Sequence, residues 1–548
     1  MLERLRILPS GSNRILIELR DLELTLRLLE HLRTTRPEGV VEIIPAARTL
    51  TLHFDPFVTD RNRLTVFLAD AKIDVRHERA AESFEIPVKY NGEDLGAVAE
   101  HLGWSVKELI RRHSEASYTV AFAGFAPGFA YLTSDDPDFD VPRRKSPRLK
   151  IPEGSVAVAG KFSGVYPGDS PGGWQLLGIT PVKMWDTSRP RAALLVPGDR
   201  VRFREMTKGT SLFVQASVPQ AEADRPREGL SITRADRPAL FQDLGRIGYA
   251  EQGVGEAGAM DRGAAMAVNL CLGNPRDAAV VEILFGGFAV RTDRPVTLAA
   301  TGAPCPLIIR APDDSKTEAP FARPFALDAG DQLELGMPER GMYSYLGLRG
   351  GFEVPLTLDS ASTDTLSRIG PAPLHVGDYL LPANRPALAV DPVPPTPAVL
   401  PSREEVVTID IIPGPRTDWF TQAGFDALTS QDWLVTPESS RIGIRLSGTM
   451  PIERRDDDEL VSEATAKGAI QVPHSGQPVL FLADHPLTGG YPVIAVVAPH
   501  HLDLAAQTPV RARIRFNPVT AFDPQEIEVF TAEEKACADE KTADCQSR

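Results

Sequence analysis

The apolar positions near the start of the chain switch between two periods. Residues 14–20 (Arg-Ile-Leu-Ile-Glu-Leu-Arg) form a short apolar run of the kind that makes a strand. Residues 21–35 set Leu22, Leu24, Leu26, Leu28, Leu29 and Leu32 among charges, the pattern of an amphipathic helix. Residues 42–54 are strand-like again, and 58–73 read as a second helix. A small α+β unit over residues 1–85 follows. A helical hairpin is expected near 93–113. From Tyr118 the apolar runs are short and broken by Gly and Pro, the texture of a β-barrel, so 86–212 reads as a barrel unit. Residues 213–229 are polar, proline-bearing and aperiodic, the signature of a linker. Strand-like runs resume at Leu230 and persist to about residue 530, divided by a proline-dense stretch at 384–401. The polar segment 531–548 reads as a disordered tail.

One pattern occurs twice. Gly154-Ser-Val-Ala-Val runs on to Ser170-Pro171-Gly172-Gly173-Trp174, and Gly468-Ala-Ile-Gln471-Val runs on to Thr488-Gly489-Gly490-Tyr491. Each is a Gly-led strand, a turn-rich stretch, and a hydroxyl, Gly-Gly and aromatic sequence entering another strand. The expectation is one barrel-like unit, duplicated and diverged.

Composition narrows the class. At roughly 100–200 residues per domain, 548 residues make three or more folding units. With 43 Gly and 48 Pro the chain is turn-rich, which favours a mainly β (α+β) architecture over helical bundles. A net charge of −15 argues against a nonspecific nucleic-acid or anionic-membrane binder, whose affinity comes from clustered cations. No apolar run approaches the length of a membrane span, and Met1-Leu2-Glu3-Arg4 opens no signal peptide. Cys271, Cys305, Cys537 and Cys545 form no CxxC pair, so neither a disulfide scaffold nor a zinc site is expected, and a cytoplasmic location is the simplest.

Several stretches carry candidate chemistry. Phe125-Ala126-Pro127-Gly128-Phe129 suits close backbone approach to a ligand or a neighbouring strand. Arg144 and Arg148, in a cationic run, can present guanidinium forks to a carboxylate or phosphate. Gln242, Asp243, Arg246 and Asp261 alternate with glycines, and Asp261 is placed to cap a helix over 261–272. Ser362, Thr363 and Asp364 suit hydrogen bonding to a small polar substrate, or equally a turn. Arg441-Ile-Gly443-Ile-Arg445 places both arginines on one strand face, with Glu463, Asp484 or a substrate between them. The acidic run 456–459 and His500-His501 match no metal-ligand spacing, so no metal site is expected. No phosphate-binding glycine loop and no biotin-carrying segment occurs.

Taken together these stretches resemble a known family. Residues 1–212 are similar to allophanate hydrolase subunit 1, through Gly124-Phe-Ala-Pro-Gly-Phe-Ala-Tyr-Leu132, Arg144 to Arg148, Gly154-Ser-Val and Tyr166-Pro to Trp174. Residues 230–525 are similar to subunit 2, through Gln242 to Arg246, Gly258 to Asp261, Ser362-Thr-Asp364, Gly414-Pro, Arg441 to Arg445, Gly468 to Pro473 and Thr488 to Pro492. One departure is Asp484-His485-Pro486-Leu487, where Asp-Arg-Gln-Thr is usual.

The resemblance implies cyclophilin-like barrels in both halves. It implies substrate contacts at Ser170, Gly172, Gly173, Trp174, Gln242, Asp243, Arg246, Asp261, Ser362, Thr363, Asp364, Gln471, Thr488, Gly489, Gly490 and Tyr491. The activity it implies is that of the B and C components of ATP-dependent 5-oxoprolinase, fused, with Mg-ATP as co-substrate. The partner it implies is a separate A component of 5-oxoprolinase, of the lactam-utilisation family. Opening an unstrained lactam needs cations for substrate carboxylate or developing phosphate, a role for Arg144, Arg148, Arg441 and Arg445. It also needs a carboxylate to position water, a role for Glu463 and Asp484. Two other readings stand beside it: a carboxyltransferase for urea or a similar amide with biotin supplied in trans, and a non-enzymatic regulator of a sensor histidine kinase. A homo-oligomer is compatible with all three.

Overall fold

The helix expected over 21–35 runs Leu22–Thr34, and Asp21 caps it by accepting a hydrogen bond from Leu24 N at 2.9 Å. Its buried stripe of Leu24, Leu28, Leu29 and Leu32 packs on a five-stranded antiparallel sheet. The strands lie in the order Val40–Pro45, Thr49–Phe54, Arg14–Glu18, Glu3–Pro9 and Gln525–Val529. The fifth comes from the far end of the chain. This computed structural model describes residues 3–529 apart from 72, 74–80, 137, 145, 207–227, 391–398 and 456–459. Most of the linker expected at 213–229, the acidic run and the tail at 531–548 lie outside the described residues.

Two units share one strand order. In the first, Ser83–Val88 runs parallel to Arg200–Glu205, and the order continues through Tyr118–Ala123, Ala130–Ser134, Phe162–Val165, Ser155–Ala159 and Gln175–Ile179. A bridge between Lys89 and Ile179 brings the two ends together. In the second, Val406–Pro413 runs parallel to Arg513–Pro518, and a closed barrel continues through Trp433–Val435, Gly443–Ser447, Val479–Phe481, Ala469–Gln471 and Val493–Val497. Each Gly-led strand of the sequence repeat pairs antiparallel with the strand after the hydroxyl-Gly-Gly turn, with a register shift in both pairs. The turn residues recur in matching places: Ser170–Gly172 pairs with Arg148–Ile151, and Thr488–Gly489 with Glu463–Ala464.

Between the barrels, residues 230–390 form a six-stranded and a five-stranded sheet around a common core that includes Phe241, Phe288 and Leu346. The helix Arg262–Leu272 starts at the expected cap, Asp261. Its Val268 and Leu272 join one core with Ile409, Trp433 and Ile470 of the second barrel, so these two units pack as one body. The fold is mainly β, with 15% helix and two barrel-like sheets. Among the described residues no helix is long and apolar enough to cross a membrane. Cys271 and Cys305 are buried, and neither is in a disulfide among the described residues.

Candidate functional site

Arg441 sits two residues before the strand Gly443–Ser447 and turns into the seam between the second barrel and the 230–390 unit. Its Nε and Nη2 donate to the two oxygens of Asp484, each at 2.9 Å, and Nη1 donates to Glu282. Nη2 also reaches the Gly258 carbonyl at 2.8 Å. Glu282 in turn accepts from Met260 N and from the Tyr345 hydroxyl, both at 2.8 Å. Burial works against the charged guanidinium, but Glu282 and Asp484 outweigh it and hold the group well above the usual arginine value. A cavity of about 580 Å³ opens onto this cluster, with Arg441, Glu282 and Thr365 among its polar lining and Leu240, Leu284 and Leu482 among its apolar walls.

A second network adjoins it. Asp243 accepts from Ser360 Oγ at 2.7 Å, Ala361 N at 2.6 Å and Ser362 Oγ at 2.5 Å. Gln242 Nε2 donates to the Thr363 carbonyl at 2.8 Å, and Arg246 Nη2 donates to the Ser362 carbonyl. Arg246 Nε and Nη1 are buried and find no partner among the described residues. Asp364 receives Leu366 N and Ser367 N on one oxygen, and burial, followed by the charge of Asp484, pushes its pKa up to about 6. Thr365 links the two networks, donating to Asp484 from N at 2.9 Å and from Oγ1 at 2.6 Å. Asp261 caps its helix through Ala264 N at 2.8 Å and accepts from Gln507 Nε2 at 2.8 Å. Burial first, and Asp503 second, raise it to about 6.

The first barrel holds a separate cluster. Arg144 and Arg148 converge, as expected of a fork, but on a protein carboxylate. Asp94 accepts from Arg144 Nη1 at 2.7 Å and from Arg148 Nη1 and Nη2 at 2.9 Å. Its second oxygen also accepts from Leu176 N at 2.7 Å, fixing it to the barrel wall. Gly173 accepts at its carbonyl from Arg144 N, and Trp174 packs edge-on against Phe129 and Tyr131. Gly172 leaves room for the Tyr166 hydroxyl, with which a Cβ at that position would collide. The loop Gly124–Phe129 approaches the second half, as its glycines suggested: Gly128 N donates to the Gln252 carbonyl, and Gly124 abuts Thr488.

The structure therefore gathers Gln242, Asp243, Arg246, Ser362, Thr363, Asp364, Arg441 and Asp484 into one buried region. Arg144, Arg148 and Ser170–Trp174 lie apart in the first barrel. Glu463 does not join Arg441; it binds Arg416, whose Nε is 3.0 Å from both its oxygens. Arg445 does not share the face of Arg441. It is exposed on its strand, whereas Arg441 precedes the strand, outside the regular pleat that the period-two argument assumed. Tyr491 is partly exposed beside His474, Gln471 ends a barrel strand opposite Val493, Gly489 pairs with Glu463, and Gly490 lies beside the Leu460 carbonyl.

Sequence reasoning missed Glu282, Thr365, Asp94, Arg416 and Lys467. Glu282 had a signal: it is the one charge in Val280-Val-Glu-Ile-Leu284, and a charge inside an apolar strand needs a partner. Lys467 is buried with Nζ 2.9 Å from the Met260 carbonyl, and burial pulls its pKa down to about 8.

Two family models match the chain. Residues 5–195 match the family "Carboxyltransferase domain, subdomain C and D", and residues 252–518 match "Carboxyltransferase domain, subdomain A and B". The chain is 33% identical over 290 residues to the C component of 5-oxoprolinase from Escherichia coli K12, covering 52% of this chain and 90% of that protein. It is 46% identical over 135 residues to the B component of 5-oxoprolinase from Escherichia coli O157:H7, covering 24% of this chain and 62% of that protein. Urea amidolyase of Saccharomyces cerevisiae is 28% identical over 312 residues, which cover 53% of this chain but only 17% of that much longer protein. Among solved structures, the crystal structure of TTHA0988 superposes with a TM-score of 0.77 at 33% identity, covering 90% of this chain and 97% of that one.

Proposed function

The chain belongs to the family of the 5-oxoprolinase B and C components, and from that premise we propose that it is the fused B/C component of an ATP-dependent 5-oxoprolinase. Together with a separate A component it opens 5-oxoproline to L-glutamate. The observation that carries this reading is that relatives of both names match this one chain, over 52% and 24% of it, while the two carboxyltransferase family models match residues 5–195 and 252–518.

A lactam amide is a poor electrophile; phosphorylating its carbonyl oxygen activates the carbon, so that water adds there, the C–N bond breaks to release the amine, and a second water cleaves the resulting acyl phosphate to carboxylate and phosphate. Two groups of described residues are close enough to share a metal ion, Asp410 with His500 and His501, and Glu42 with His53 and Glu256. Both contain histidine, whereas Mg²⁺ favours an all-oxygen shell. Neither group suits a magnesium nucleotide, and this reading assigns neither of them to it.

The part of this chain is to bind and to move protons. Asp364, titrating near 6, is matched to proton exchange at neutral pH. Arg246, with Nε and Nη1 unpartnered, has donors for a developing oxyanion. Asp484 and Glu282 serve as counter-ions that fix Arg441, rather than as bases. The residues of the first barrel, Arg144 and Arg148, are held in orientation by Asp94.

The test is a coupled assay of the chain with the A component, Mg-ATP and 5-oxoproline, following ADP and glutamate. Glutamate formed only when both proteins and ATP are present is the expected result. If the two proteins bind but form no glutamate, the reading fails. The carboxyltransferase alternative, favoured by the match to urea amidolyase, is then tested with a biotinylated partner.

A further inference from the structure

A second cavity, of about 310 Å³, lies at the seam between the N-terminal sheet and the second barrel. Glu18, Arg48 and Thr49 line it from one side, and Arg416, Trp419 and residues 460–463 from the other. Its polar groups fall into two classes. The first is occupied. Arg416 is fully buried, held by both oxygens of Glu463 and, through Nη1, by Glu18 at 3.0 Å. The other oxygen of Glu18 accepts from Arg6 Nη1 at 2.7 Å. Both carboxylates of the cavity are thus committed to arginines.

The second class is not occupied. The Arg48 guanidinium is half exposed, and its nearest carboxylate oxygen, on Glu18, is 3.8 Å away, beyond hydrogen-bonding distance. The adjacent residue, Thr49, is only 2% exposed, and its hydroxyl has no partner among the described residues. A buried hydroxyl without a partner is costly, which points to a group missing from its surroundings. The capacity left over is mainly that of donors: a guanidinium fork beside one hydroxyl. What completes it must bring acceptors, and a carboxylate matches a guanidinium fork in geometry and charge. The lining charges Glu18, Glu463, Arg48 and Arg416 cancel, so a single added anion meets no net repulsion. Trp419, Leu460 and Val461 give the rest of the ligand an apolar wall. The volume is at the small end for ligand cavities, which excludes a nucleotide-sized guest.

We infer that this inter-half cavity binds a small monocarboxylate, its carboxylate on Arg48 and Thr49 and a compact body against Trp419. Taking that ligand to be 5-oxoproline rests on the proposed function; the carboxylate site itself does not.

The experiment is calorimetric titration of the full chain with 5-oxoproline and with acetate, for the wild type, Arg48→Gln and Thr49→Val. Each variant's melting is recorded to confirm folding; Arg48 is exposed enough for its replacement to be tolerated. One site per chain is expected, weakened tenfold or more by Arg48→Gln and severalfold by Thr49→Val. Equal affinity in wild type and Arg48→Gln, or no binding of either carboxylate to the wild type, overturns the inference. The same proteins are then assayed with the A component and Mg-ATP. Glutamate formation with KM unchanged in Arg48→Gln overturns the assignment of the substrate 5-oxoproline to this site and leaves the proposed function standing. Arg48-dependent binding without any glutamate removes the proposed function and leaves the site.

Discussion

Leu5 on the first strand and Ile527 on the last stand opposite each other in an antiparallel ladder that runs from Glu3–Val529 to Ile7–Gln525. The end of the second half thus completes the sheet of the first. Leu5, Ile7 and Val529 are fully buried there. The ladder acts as a clasp alongside polar contacts between the halves, such as Arg14 with Glu256 and Glu42 with the amides of Gly248 and Ala250.

Ending the chain after residue 524 exposes that edge and removes Val529 from the core. Burial of one such side chain is worth roughly 1.5–3 kcal/mol, so a loss of about 3 kcal/mol or more is expected. Urea denaturation reads it directly, and an unchanged midpoint would show that the ladder contributes nothing.

Arg441→Ala leaves Glu282 and Asp484 as buried charges without a counter-ion. Breaking such a cluster costs about 3–5 kcal/mol. Replacing all three with Met, Gln and Asn removes the charges together and is expected to recover a large part of the loss. Chemical denaturation of the wild type, the single variant and the triple variant measures this; a triple variant no better than Arg441→Ala contradicts it.

Asp364 has a folded pKa raised to about 6 from the ordinary carboxylate value of 3.8. Its contribution to stability is therefore complete below about pH 4 and is lost as pH rises through 6. The difference in melting temperature between wild type and Asp364→Asn should shift against the wild type over that interval and be level above it. A difference independent of pH from 4 to 7 would place the titrating group elsewhere.

Gly124 touches Thr488 across the halves: a Cβ there would collide with Oγ1 and lie 2.9 Å from Cγ2. Gly124→Ala should destabilise by about 1–3 kcal/mol, as overpacking does. Adding Thr488→Ala removes both clashing atoms and should return most of it. A double-mutant cycle with no coupling would mean that the two do not meet in solution.

Much of the architecture was legible because it depends on local order. The 3.6 and 2.0 periods gave the N-terminal helix and strands, Asp261 marked a helix start, and the Gly-led repeat foretold a shared barrel-like unit in the two halves. Family motifs identified most of the polar residues that later meet. What the sequence could not decide was which charge faces which. Arg441 pairs with Glu282 across 159 positions, and Asp243 with Ser362 across 119. Those partners are chosen by where strands of different sheets cross, and each charge, once buried, must find whatever counter-group the crossing supplies. The period-two rule failed for Arg441 and Arg445 because it holds only inside a regular strand, and Arg441 lies outside one. The clasp at Gln525–Val529 was invisible for a similar reason: its alternation marks a strand, but only the folded first half provides the open edge that it joins.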